Sequence, residues 1–207
     1  MREEKAKRGL FMHSLWEALT GEKGGRGVEE RVEKLFPDIS HREVYENLSG
    51  TLREEIIKAG EEAAGVPWPA LYLSDYRAFC QSGDRAAFEE KYFSRSLKLS
   101  TLVMAELMED HGRFLGDILD GLFLLLGEDS WCLPAHNAYV RDTPQFPIPD
   151  KSRPVIDLFA AETGAIVAMT EYLLRPRFIK IGEAISRSVD KELEERLHRP
   201  FEREHFW

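Results

Sequence analysis

The chain has 207 residues, a net charge of −9 and two cysteines, enough length to bury a substantial core. An acidic balance argues against nonspecific nucleic-acid binding, which needs basic surface to displace counterions from phosphates. Two cysteines without a CxxC pattern give neither a disulfide framework nor a zinc site, and the apolar run at Leu122–Leu126 is far too short to span a bilayer. These totals describe a soluble, cytoplasmic globular protein without metal or cofactor.

In chain order, residues 5 to 19 place Phe11, Leu15, Ala18 and Leu19 on one helical face. The Gly21–Gly27 passage lacks the GKS or GKT ending of a phosphate-cradling loop and reads as a linker. A short helix from Val28 to Leu35 stops before Pro37. Ser40, with Glu43 three residues on, has the spacing of a capping box. It opens a helix carrying Val44, Leu48, Leu52, Ile56 and Ile57, which Gly65 and Pro67 end. The organisation is an N-terminal segment and linker over 1–38 and a helical domain over 39–207.

Residues 68 to 93 are aromatic-rich. Trp68, Tyr72, Tyr76 and Phe79 fall at helical spacing, either as core packing or as a sugar-stacking wall. Ser82-Gly83-Asp84 marks a break. Helices follow over Ser96–His111 and Arg113–Leu126, divided at Gly112; the apolar stripe of the second is wide enough for burial on most sides. From Gly127 to Pro154 no period is visible, and unstructured connections of this length are often functional. Pro154 suits the first turn of a helix with apolar residues from Val155 to Leu173. A last helix runs from Phe178 to Leu197. No segment alternates like a strand, so the fold class is all-α with antiparallel neighbours.

Trp131, His136 and Asn137 stand together at the head of the long loop. An aromatic ring stacks on the apolar face of a sugar, and a His and an amide read its hydroxyls or carboxylate. The alternative is that His136 and Asn137 satisfy backbone groups in a tight turn. Arg141 offers a bidentate partner for a uronate carboxylate. Glu162 is read as an inward-facing carboxylate, flanked by Leu158, Phe159, Ala165 and Ile166. Such a group is costly unless paired, so it either ties down the loop or orients a functional group.

The segments Tyr72 to Phe93, Arg113-Phe114-Leu115, Trp131-Cys-Leu-Pro-Ala-His-Asn137 and Ile156-Asp-Leu-Phe-Ala-Ala-Glu-Thr163, in this order, resemble the N-terminal helical domain of the heparinase II/III-like family. The resemblance covers the chain from about Ile39 onward. It implies an incomplete (α/α) toroid of antiparallel helix pairs and β-elimination on a uronate-containing polysaccharide. In that chemistry a base removes the proton α to the carboxyl group, an Asn, Arg or His neutralises the carboxylate, and a Tyr or His serves the leaving oxygen. The family's substrate-carboxylate Asn, catalytic Tyr and further His lie in segments after the one matching His205-Phe206-Trp207. No catalytic residue carries over, and the chain is expected to be inactive alone. The expected partner is an acidic oligo- or polysaccharide, with a possible homodimer through the open edge of the half-toroid. Non-catalytic oligosaccharide or protein binding is the alternative.

Overall fold

The structure, a computed structural model, describes residues 34–138 and 144–203. The expectations for residues 5–19 and the Gly21–Gly27 linker lie outside these residues. The described residues are helical, with no strand among them. Short α1 (Arg42–Glu46) leads to α2 (Gly50–Ala64), α3 (Leu73–Ser82), the 24-residue α4 (Ala86–Glu109) and α5 (Leu115–Leu126). A 3-10 turn, Pro134–His136, sits in the long connection before α6 (Leu158–Ile181). Helix α7 (Ala184–Leu193), a π turn (Glu194–His198) and α8 (Arg199–Arg203) follow.

Helix α4 is the axis of the core, because its apolar positions recur on one wide face: Phe88, Tyr92, Leu99, Leu102, Val103 and Leu107 are all buried. Helices α2, α5 and α6 pack around it. The α2 crossing is close because Gly60 faces Ala105; a Cβ on Gly60 would lie 2.2 Å from that of Ala105. Gly60→Ala is therefore expected to destabilise by about 1–3 kcal/mol through overpacking. Urea unfolding reads this directly, and an unchanged midpoint would contradict the close crossing.

The C-terminal end of α4 gathers arginines, as the negative end of a helix dipole favours. Arg42 donates to the carbonyls of Leu107 and Met108, Arg53 donates to Met108 at 3.0 Å, and Arg177 pairs with Asp110. Asp110 caps the helix in the left-handed region at φ 57°.

Three sequence expectations about helix ends are corrected. Ser40 does not cap a helix: it donates to Asp38, and Ser49 is the residue whose hydroxyl accepts from Leu52 N–H at the head of α2. The long helix begins at Ala86 rather than Ser96. Helix α6 begins at Leu158, after Pro154, and runs through Pro176 to Ile181. Proline costs a helix about 3 kcal/mol, and here the buried Leu173, Leu174 and Phe178 and the Arg177–Asp110 pair hold both sides of it. Helix α5 is also less enclosed than its composition suggests, since Phe123 is 79% exposed.

Candidate functional site

The long connection is held by a few side-chain anchors. Asp157 caps α6 through a 2.7 Å bond from Ala160 N–H. Its other oxygen lies 2.8 Å from His136 Nδ1 and accepts from Leu133 N–H at 3.3 Å. His136 stacks on Phe159, with 5.7 Å between ring centroids. One carboxylate thus joins the 3-10 turn to the head of α6. Asp157→Ala removes the cap and both loop bonds, and about 2 kcal/mol of stability is expected to go with them. Thermal unfolding by circular dichroism checks this; Asp157→Asn should recover part of the loss.

Asn137 acts as a side-chain rung between the two arms of the loop. Its Nδ2 donates to the Tyr76 hydroxyl and to the Phe146 carbonyl, and its Oδ1 accepts from Phe146 N–H, each at 2.8 Å. It is buried, both of its donors and its carbonyl oxygen are engaged by the protein's own groups, and this fits the backbone-satisfying alternative. Trp131 is corrected as a stacking platform. It is 2% exposed, donates from Nε1 to the Leu125 carbonyl, and carries the Arg196 guanidinium over its ring. An indole can bury fully only when its N–H finds a partner, and the end of α5 supplies one. Arg141 lies outside the described residues.

Glu162 is also corrected: it is exposed. The inward face of α6 is Ala160, Thr163, Val167, Thr170, Leu174 and Phe178, and Glu162 lies about 100° around the helix from Thr163. The inward position here is Thr163, whose Oγ1 is 2.5 Å from the hydroxyl of Tyr92 on α4. That hydroxyl is also 2.8 Å from the Trp131 carbonyl. Burial pushes the phenols of Tyr76 and Tyr92 and the thiol of Cys132 up, so none of the three is an available base at neutral pH. Both cysteines are free.

Three clefts meet at Ser130. The largest, about 460 Å³, is lined by Tyr72, Tyr76, Phe123, Arg95 and Glu128 among others. A second, about 380 Å³, runs under Phe146 and Ile148 to Lys151 and Arg153. A third, about 200 Å³, lies over Trp131 and reaches Glu192 and Glu195. The aromatic stretch of the sequence therefore divides. Tyr76 joins a small core with Phe88, Tyr92 and Leu133. Tyr72, 59% exposed, stands on the groove. Trp68 packs over Gly121 and under Lys98.

Arg95 and Glu128 are the functional candidates that sequence reasoning missed. Their 2.7 Å ion pair is almost wholly buried, with side chains 6% and 7% exposed. Arg95 Nε also donates to the Pro69 carbonyl. Arg196, on the π turn, donates to the Glu128 and Leu126 carbonyls and fixes the backbone of the loop. Glu128 Oε2 is buried without a hydrogen-bond partner among the described residues. Burial is the largest influence on this carboxyl and Arg95 opposes it; the result is a pKa pushed up to about 7. The available signal was Arg95 itself, a cation on the apolar face of α4 in line with Tyr92, Leu99 and Leu102.

The described residues form an all-helical fold with three clefts that share Ser130, one of them partly aromatic and beside a buried Arg–Glu pair. No protein-family model matches the chain, and no curated protein matches it. Among the described residues no helix is long and apolar enough to cross a membrane, and no three His, Cys, Asp or Glu side chains converge as a metal site would require.

Proposed function

We propose that this chain is the helical portion of a polysaccharide lyase of the heparinase II/III-like kind, an incomplete (α/α) toroid that binds an acidic oligosaccharide. The groove around Ser130 carries this reading. Its 460 Å³ cleft offers Tyr72 as an exposed aromatic wall, and the neighbouring 380 Å³ cleft carries Lys151 and Arg153. Aromatic faces suit the apolar side of a pyranose, and cations suit a uronate.

A non-catalytic binding role is the second reading, favoured by the fate of the loop residues. Trp131 and Asn137 are engaged in the protein's own structure, and the Nδ1 of His136 is held by Asp157. The proposal expects saturable binding of a hyaluronan tetrasaccharide by the full chain, without growth of the ultraviolet absorbance of an unsaturated uronate. No binding would overturn the groove assignment. Turnover would overturn the expectation of inactivity and favour the lyase reading over the binding module.

A further inference from the structure

We infer that Asp129 is a built-in competitor for the ligand's carboxylate: it holds Lys151 in the free protein, and a uronate binds by drawing that ammonium away from it. The inference rests on the acidic-sugar reading and adds the residue that sets how tightly, and in which cleft, the acidic group is held.

Both partners stand on anchored backbone. Arg196 donates to the carbonyls of Leu126 and Glu128 and so fixes the stretch of loop that carries Asp129. On the other arm, Asp150 Oδ1 accepts from Ser152 N–H at 2.9 Å and from Ser152 Oγ at 2.6 Å, and Arg153 N–H closes the turn on the Asp150 carbonyl. Lys151 lies within this turn, and its Nζ is 2.7 Å from Asp129 Oδ1. Asp129 lines the 460 and 200 Å³ clefts, and Lys151 lines the 200 and 380 Å³ clefts. The ion pair therefore stands where the three clefts share Ser130.

The charges select a cleft for an anion. The 200 Å³ cleft sets Asp129, Glu192 and Glu195 against Lys151 and Arg196, and Arg196 is already paired with Glu192 at 2.7 Å. The cation lining the 460 Å³ cleft is Arg95, which is paired with Glu128. The 380 Å³ cleft has Lys151 and Arg153 with one carboxylate, Asp150, whose Oδ1 is engaged by Ser152. A uronate is thus best placed in the 380 Å³ cleft, with Lys151 as its cation. A lysine ammonium on its flexible stem can turn from one oxygen to another. While Asp129 keeps it, a second carboxylate on the same ammonium meets like-charge repulsion. Removing the Asp129 charge should therefore tighten binding.

Isothermal titration calorimetry of the full chain with a hyaluronan tetrasaccharide tests this in a double-mutant cycle. Asp129→Asn is expected to bind about two- to fivefold tighter than the parent at low salt, the size of one exposed ion pair. The gain should shrink at physiological salt. In a Lys151→Gln background the same substitution should lose most of that gain, because no ammonium is left to contest. Cellotetraose, an uncharged probe, should gain nothing. The unfolding midpoint of Asp129→Asn should stay in place, since the Lys151 and Asp129 side chains are 63% and 58% exposed. Parental hyaluronan affinity in Asp129→Asn, an equal gain in the Lys151→Gln background, or a matching gain for cellotetraose would each overturn the competition and leave the acidic-sugar reading standing. No hyaluronan binding by the parent or either variant would overturn the acidic-sugar reading, and this inference with it.

Discussion

Arg95→Ala is expected to cost about 3–5 kcal/mol at pH 8, the usual penalty for stripping one partner from a buried ion pair. The loss leaves the buried Glu128 carboxylate without its ion-pair partner to offset desolvation, and also removes a bond to the Pro69 carbonyl. The penalty should shrink as pH falls. The folded-state pKa of Glu128 lies above its ordinary 4.5, so between those values the folded chain holds more protons than the unfolded one. Stability then declines as pH rises through this window, by at most about 1.4 kcal/mol per pH unit. Removing Arg95, which lowers this pKa, extends the window upward. Chemical unfolding at pH 5.5, 7 and 8.5 should therefore show the variant losing ground against the parent mainly between pH 7 and 8.5, above the parent's pKa for this carboxyl. A penalty independent of pH would contradict the assignment of the charge to Glu128.

Glu106→Ala is expected to destabilise by about 3–5 kcal/mol, from two orphaned backbone donors and the space left behind. Glu106 is wholly buried at the last turn of α4. Its Oε1 accepts from Gly112 N–H at 2.6 Å and its Oε2 from Phe114 N–H at 3.2 Å, so one side chain shapes the turn into α5. Gly112 takes φ 79° there, a left-handed conformation that glycine adopts without a Cβ clash. Glu106→Gln keeps one carbonyl acceptor and should recover part of the loss. Equal stability of the alanine and parent proteins, by urea unfolding, would show that the turn forms without this carboxylate.

The helices were legible because their signals are local. Apolar residues three and four apart marked α2, α5 and α6, and Gly83 and Gly127 stop helices where the sequence says they should. The all-helical class needed no more than this. Faces were harder. Reading Glu162 rather than Thr163 as the inward residue is an error of one position, yet on a helix it exchanges core for solvent. Ser40 and Ser49 both precede helical turns, and hydrogen bonding decides between them. Trp131 looked like a platform because its burial depends on the end of α5 and on Arg196, 65 residues away. The Arg95–Glu128 pair was invisible for the same reason: its members are 33 residues apart, and Glu128 after a helix-ending glycine looks like any solvated loop carboxylate. Arg95 and Glu106 were the clues available, as charges set on the apolar face of α4.

The most direct test of the groove is charge reversal on its basic arm. Lys151 and Arg153 are exposed and line the 380 Å³ cleft, so Lys151→Glu with Arg153→Glu should leave the helical core intact. Titrating a hyaluronan tetrasaccharide into the parent and the double variant at low and at physiological salt is predicted to show at least about a tenfold loss of affinity in the variant, largest at low salt. Equal affinity in the two proteins, with equal unfolding midpoints, would contradict the claim that this groove binds an acidic sugar.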